Sequence, residues 1–164
     1  MTKPNRIVEV KLDSQSLGPG STEIEIERHK TISDLLDENS FKLAEPASAE
    51  GPYKLHLRLT EDRLHMQVGC NASGHEEDVS LPLSPLKRHI KDYSIVCDNF
   101  YKTAKAGEMH RLEAIDAGRR SIHDEAAELL AETLENKVIL DKPTARRLFT
   151  LLYVLHIRNN PTLT

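Results

Sequence analysis

The 164-residue sequence is poor in aromatic side chains, which make up 4% of it, and it contains no tryptophan. Proteins that stack nucleic-acid bases depend on such side chains, so this class of binder is disfavoured. The formal net charge of −4 excludes an overall basic nucleic-acid-binding protein and leaves room only for a local basic patch. Nucleic acid is therefore not an expected partner.

Cysteine is scarce, and the long apolar segments of membrane proteins are missing. Cys70 and Cys97 form no CxxC pair, so we expect both to be reduced, structural thiols. The longest apolar stretch, 148–157, has about half of the ~20 residues that span a bilayer, and it carries His156. No apolar core follows the amino-terminal residues, as it would in a signal peptide. These features predict a cytoplasmic protein without membrane contact.

The motifs of metal, nucleotide and hydrolytic sites are also lacking. Eight histidines are present, but no two have HxxxH or HExxH spacing, and the two cysteines are far apart. The sequences GxGxxG, GxxxxGK and GxSxG do not occur. We therefore expect no metal site and no cofactor.

Alternating apolar residues predict a sheet. Residues 53–83 contain three short alternating runs separated by polar turns, which predicts an antiparallel meander with one wet face. The first run, 53–59, alternates strictly, and Pro82 indicates an edge position for the last run. A strand at 6–12 is expected to join this antiparallel sheet. Residues 42–52, rich in Pro, Ala and Ser, are predicted to form a loop.

Four helices are predicted around this sheet. Ser84 offers a capping hydroxyl before Pro85, and the apolar stripe that follows reaches Ala104 with Gly107 as its stop. The last helix is apolar on nearly every side over 148–157 and should be central. Strands followed by helices indicate an α+β fold, one domain over 1–164 with helices on one face of the sheet. The other predicted elements are helices at 22–39 and 108–135, a strand at 138–140 and a helix capped by Asp141.

The predicted helix at 108–135 places a histidine, two arginines and two aspartates close together. Asp116, Arg120 and Asp124 are four residues apart, and Arg119 and His123 form the adjacent row. An imidazole beside a carboxylate is a common arrangement for proton transfer and for nucleophilic catalysis. The same spacing also suits a solvated face held by i,i+4 ion pairs.

Part of this helix resembles the phosphoacceptor helix of one class of two-component sensor histidine kinases. The string R-R-S-I-H-D-E-A-A-E-L-L matches an Arg-rich lead-in followed by Leu-His-Asp-Glu. The resemblance implies that His123 takes phosphate, that Asp124 acts as its base, and that Arg119 and Arg120 lie near the phosphoryl group. It covers about a dozen residues. The chain has no glycine-rich ATP lid, so a phosphotransfer acceptor is implied rather than a kinase.

Two further basic clusters point to anions or to acidic partners. Cations at the start of the helix after Ser84 oppose the helix dipole, which favours an anionic ligand or an acidic surface there, although a solvated face would look the same. Arg146 and Arg147 are predicted to form an internal ion-pair network with Asp116 or Asp124. The residues predicted to bind an anion or a partner are Lys87, Arg88, Lys91, Arg119 and Arg120.

Six strings between residues 34 and 151 are distinctive when taken together: D-L-L-D-E-N-S-F, G-P-Y, L-S-P, K-D-Y, E-A-I-D-A-G-R-R and T-A-R-R-L-F-T-L. With them the chain resembles, from about Arg6 to Arg158, an uncharacterised alphaproteobacterial family of the UPF series, UPF0262. The resemblance implies a bacterial cytosolic protein that forms a single unit, and it supplies no activity, cofactor or catalytic residue.

The absence of a catalytic motif, together with charged helix faces and a sheet edge, favours a non-enzymatic protein-interaction or regulatory module. Its expected partner is another protein or a second copy of the chain, since the helices after 84 and 108 offer an apolar seam. The alternative is histidine phosphotransfer or acid–base chemistry centred on His123 and Asp124.

Overall fold

The computed structural model describes residues 5–13, 22–46, 49–71 and 73–159. In this part of the chain a strand and a helix come first, followed by four strands, two long helices, a short strand and a last helix. The strands are β1 (Ile7–Leu12), β2 (Phe41–Leu43), β3 (Tyr53–Leu59), β4 (Arg63–Cys70), β5 (Glu76–Pro82) and β6 (Val138–Leu140). The helices are α1 (Thr22–Asp37), α2 (Lys87–Lys105), α3 (Met109–Leu134) and α4 (Lys142–Asn159), with a 3₁₀ turn at Ser84–Leu86 before α2.

The main sheet has the strand order β1-β3-β4-β5. The predicted meander is confirmed, because β3 pairs with β4 and β4 pairs with β5, both antiparallel. Pro82 lies on the edge strand β5, as its missing N–H requires. In β3 every second side chain is buried, so one face of the strand packs into the core and the other is exposed to solvent.

The prediction of a purely antiparallel sheet is wrong at β1, which pairs parallel with β3 from Ile7–Tyr53 to Leu12–Leu57. The chain crosses over through α1 before it returns to the sheet, and such a crossover brings the next strand back in the same direction. Asn39, just after α1, fixes β1 in place. Its Oδ1 accepts from Ile7 N–H at 2.7 Å, and its Nδ2 donates to the Ile7 carbonyl at 3.0 Å.

A second, two-stranded sheet joins β2 to β6, with Phe41 opposite Leu140. The strand predicted at 138–140 is confirmed, whereas the loop predicted at 42–52 in fact begins with part of β2. Three-residue strands carry too little periodicity to be distinguished from loops by sequence.

The helices cover one face of the main sheet, and α4 lies between α1 and α3. The predicted Asp141 cap is confirmed, since its Oδ1 accepts from Thr144 N–H at 2.9 Å. The predicted Ser84 cap is wrong, because no side-chain hydrogen bond caps the 3₁₀ turn and α2 itself begins at Lys87. Gly107, with φ +74°, ends the α2 region and turns the chain into α3.

Among the described residues, no helix is long and apolar enough to cross a bilayer.

Candidate functional site

The outward face of α4 is the floor of a groove between α1 and α3. Side chains at helical spacing along α4, from Pro143 to Val154, line three cavities, and Thr150 contributes to all three. Arg147 Nη1 donates to the Glu38 carbonyl at 2.6 Å, which joins the start of α4 to the end of α1. We call this feature the α4 groove.

At one end of the α4 groove, α1, α2, α3 and α4 enclose a cavity of about 350 Å³, here called the aromatic cavity. Its apolar lining gives it the character of a ligand pocket, and its volume is within the range of such pockets. Tyr101, at its edge, is 70% exposed, and Met109, two turns before Asp116 on α3, is 67% exposed. The lining residues are Glu27, Tyr93, Cys97, Phe100, Tyr101, Asp116, Arg119, Thr150, Tyr153 and Val154.

The polar groups inside the aromatic cavity are paired with one another. Arg119 donates through Nε to Asp116 Oδ1 at 2.9 Å and through Nη1 to the Tyr93 hydroxyl at 3.4 Å. Arg120 also contacts Asp116, at 3.4 Å, so the predicted i,i+4 pair forms. Burial raises the pKa of the Cys97 thiol, which therefore stays protonated at neutral pH and is a poor nucleophile.

His123 of α3 packs against α4 at the edge of the groove and is 8% exposed. Its ring packs against Tyr93 at 5.4 Å and edge-on against Phe149 at 5.5 Å between centroids. Nε2 lies 2.8 Å from Thr150 Oγ1, and Nδ1 accepts from Arg146 Nε at 3.4 Å. Both ring nitrogens are thus occupied by partners within the protein.

The hydrogen-bond directions around His123 are mutually consistent. Thr150 Oγ1 donates to the Arg146 carbonyl at 3.1 Å, so its single proton is committed and the oxygen accepts from His123. His123 therefore carries its proton on Nε2. Burial, followed by the charges of Arg146 and Arg119, lowers the pKa of His123, which keeps the ring neutral at pH 7.

Asp124 points toward α4 rather than along its own helix. Its Oδ1 lies 3.3 Å from Arg146 Nε, which confirms an ion pair between the second arginine cluster and this helix. The same oxygen is buried and has no hydrogen bond with good geometry among the described residues. Arg146 Nε donates its hydrogen bond to His123 Nδ1 and lies within ion-pair distance of Asp124, so the two predicted catalytic residues both contact Arg146.

At the other end of the α4 groove lies a cavity of about 460 Å³, here called the basic cavity. Three of its lining residues are cations and none is an acid. Between the two ends, Thr31, Asp34 and Asp37 of α1 line a third cavity together with Arg147 and Thr150 of α4, and the two aspartates are here called the acidic wall. The residues that line the basic cavity are His123, Lys142, Pro143, Arg146, Arg147 and Thr150.

The basic residues predicted at the start of α2 form a separate group. Lys87, Arg88 and Lys91 are exposed, and Arg88 lies 3.8 Å from Asp92. The described residues contain no group of three or more His, Cys, Asp or Glu side chains placed to hold a metal ion.

The sequence reasoning missed two kinds of residue in the site. Thr150 and Tyr153 fall in the stretch of α4 that the sequence predicts to be apolar on nearly every side and central. Asp34 and Asp37 of α1 show no sequence spacing that would mark them as part of a binding site. The 3.6-residue recurrence of Arg146, Thr150 and Tyr153 was the available signal that α4 has an outward stripe.

Comparison with known proteins gives relatives of similar length. The model of the family described as "Uncharacterised protein family (UPF0262)" matches residues 4–158. A UPF0262 protein of Bradyrhizobium sp. strain BTAi1 is 44% identical over 154 residues, which cover 94% of this chain and 91% of the relative. One from Rhodopseudomonas palustris strain TIE-1 is 43% identical over 152 residues, covering 93% and 92%. One from Methylobacterium radiotolerans is 40% identical over 153 residues, covering 93% and 94%. No solved structure matches the chain significantly.

Proposed function

Because the chain belongs to the uncharacterised UPF0262 family, we propose a function from the α4 groove itself: the protein is a non-enzymatic, cytoplasmic interaction module with a regulatory role. It docks an extended segment of a partner protein along the groove. The observation that carries the proposal is the aromatic cavity, an open and mainly apolar pocket with a 70% exposed tyrosine at its edge.

The chemistry of the groove specifies the partner segment. An apolar side chain fits the aromatic cavity, where Phe100, Tyr101 and Val154 supply the contact surface. Beyond it, the segment meets Asp34 and Asp37, which form no ion pair with another described residue. A basic residue next to the apolar anchor would neutralise this wall and fix the direction of binding.

The alternative prediction, phosphotransfer or acid–base chemistry at His123, has less support from the geometry. A phosphoacceptor needs a free ring nitrogen that can reach its donor, whereas His123 is buried and both nitrogens are engaged. Its pairing with Asp124 runs through Arg146. The chemical role of His123 and Asp124 therefore stays a prediction, as does partner binding at Lys87, Arg88 and Lys91.

Site-specific photo-crosslinking tests the docking site in cells that naturally make the protein. A benzophenone amino acid is placed at position 101, and at position 139 as a control, because Ile139 is 57% exposed on β6. We expect position 101 to capture one discrete protein through a segment with an apolar residue beside a basic residue. Equal capture at both positions would overturn the proposal, and so would capture of a second copy of this chain.

The captured segment, made as a peptide, then gives a binding measurement. We expect Tyr101→Ser and the pair Asp34→Asn with Asp37→Asn each to weaken binding about tenfold, roughly 1.4 kcal/mol, and Ile139→Ser to leave it unchanged. If Arg88→Glu with Lys91→Glu weakens binding instead, the docking site is the start of α2 and not the α4 groove.

A further inference from the structure

The basic cavity gathers three cations around one opening. Lys142, Arg146 and Arg147 line it, and the remaining lining residues, His123, Pro143 and Thr150, include no acid. Like charges brought together in this way repel one another, which costs stability unless an anion lies between them. The arrangement therefore needs an explanation beyond folding.

Most of this positive charge is not neutralised within the protein. Arg146 contacts Asp124, but Lys142 forms no ion pair with any described residue. Arg147 is held by the Glu38 carbonyl, a neutral acceptor that takes up only Nη1 and leaves its other N–H groups available. Among the described residues, neither Lys142 nor Arg147 has a carboxylate within ion-pair distance, and the acids nearest in the groove, Asp34 and Asp37, line the neighbouring cavity with Arg147.

The arginines are also held in position before any ligand arrives. Arg147 is fixed by the backbone of α1, and Arg146 by His123 and Asp124. Side chains that are already ordered lose little conformational entropy on binding. A guanidinium offers paired N–H donors that match phosphate oxygens, and an ammonium adds a point charge.

We propose that the basic cavity binds the phosphate group of a small phosphorylated molecule. A phosphate dianion matches the two uncompensated charges of Lys142 and Arg147, whereas a single carboxylate would leave one of them unpaired. The volume of about 460 Å³ leaves room for an organic group beyond the phosphate. The inference is independent of the proposed docking function, since it concerns the opposite end of the α4 groove and requires no partner protein.

Titration of the ¹⁵N-labelled full-length protein with inorganic phosphate and pyrophosphate, at low ionic strength, tests this site. We expect saturable shifts of the backbone amides of His123, Arg146 and Thr150, with pyrophosphate bound more tightly than phosphate. The Lys142→Gln, Arg147→Gln double variant should bind at least about tenfold more weakly. A control of equal charge change, Arg111→Gln with Lys137→Gln, should bind as the unaltered protein does.

Several outcomes would overturn the proposal. One is the absence of saturation at about 10 mM pyrophosphate, far above the concentration at which a specific phosphate site fills. Another is an equal loss in the control variant, which would indicate binding by net charge alone. Shifts centred on Lys87, Arg88 and Lys91 would place the anion at the start of α2. The spectrum of each variant shows whether it is folded, and if the double variant is not, Lys142→Gln alone provides the comparison.

Discussion

His123 donates from Nε2 to Thr150 Oγ1 across 2.8 Å, and the same hydroxyl donates a hydrogen bond to the Arg146 carbonyl. This short chain of hydrogen bonds ties α3 to α4 beneath the groove. Arg146 completes it by donating back to His123 Nδ1. The His123 imidazole therefore has a structural role in linking the two helices, which accounts for its burial among aromatic rings.

Removal of the His123 side chain should cost stability. We expect His123→Ala to lower the free energy of unfolding by about 2–4 kcal/mol, because it leaves a cavity and removes the partners of Thr150 and Arg146. Urea unfolding measures the loss. His110→Ala, on the exposed part of the same helix, should change it by less than about 0.5 kcal/mol. Equal effects of the two substitutions would contradict the structural role and revive a catalytic one.

Stability should fall at acidic pH. Burial lowers the pKa of His123, so the folded chain takes up that proton at a lower pH than the unfolded chain, whose histidines titrate near 6.5. The unfolded state therefore binds more protons just below about pH 6.5, and the free energy of unfolding drops as the pH falls through that window. Burial lowers the pKa of His65 and His156 in the same direction.

Urea unfolding at pH 7.5 and pH 5 checks the predicted fall in the free energy of unfolding. The His123→Gln variant cannot titrate at this position, so its stability should fall less between the two pH values than that of the unaltered protein. The drop should not vanish, because His65 and His156, whose pKa values are also lowered, remain. An identical drop in both proteins would show that His123 does not contribute.

Two glycines should respond to alanine in opposite directions. Gly118 lies within α3, and a Cβ there meets no atom within 4 Å, so Gly118→Ala should stabilise the protein by roughly 0.5–1 kcal/mol. Gly107 has φ +74°, where a side chain is strained, so Gly107→Ala should destabilise it by about 1 kcal/mol. Thermal unfolding compares the two. A loss of stability in Gly118→Ala would mean that this position is not a regular helical one.

Asn39 should act as a clamp on β1. In Asn39→Asp the carboxylate cannot donate to the carbonyls of Ile7 and Leu35, which Nδ2 reaches at 3.0 and 2.9 Å. We expect a loss of about 2 kcal/mol and faster hydrogen exchange at the amides of β1. Asn99→Asp, an exposed change of the same kind on α2, should leave β1 exchange unaltered. If both variants exchange alike, Asn39 is not what holds the strand.

Much of the fold was predictable because long elements repeat their pattern. The strict alternation of β3 and the apolar stripe of α2 each extend over enough residues to identify the period. The direction of β1 was not predictable, because alternation identifies a strand and says nothing about which neighbour it joins. The short strands β2 and β6 support each other only through contacts distant in sequence.

The site was predictable only in part. The spacing of Asp116, Arg119 and Arg120 indicated one cation–carboxylate cluster, because i,i+3 and i,i+4 neighbours lie close together on one helix. The partners of His123 lie 23 and 27 residues away on α4, and no local pattern encodes them. The cavities likewise depend on how four helices pack, which periodicity does not specify.

The central position of α4 also governs the order in which this protein can assemble. During synthesis, α1 and α3 emerge before the helix that lies between them, and β1 must wait for β3, more than forty residues further along the chain. Until residues 142–159 are available, the apolar surfaces they cover stay open to solvent and to other nascent chains. Productive folding therefore waits until residues 142–159 have been made, and the interval before that is when the chain most needs a chaperone.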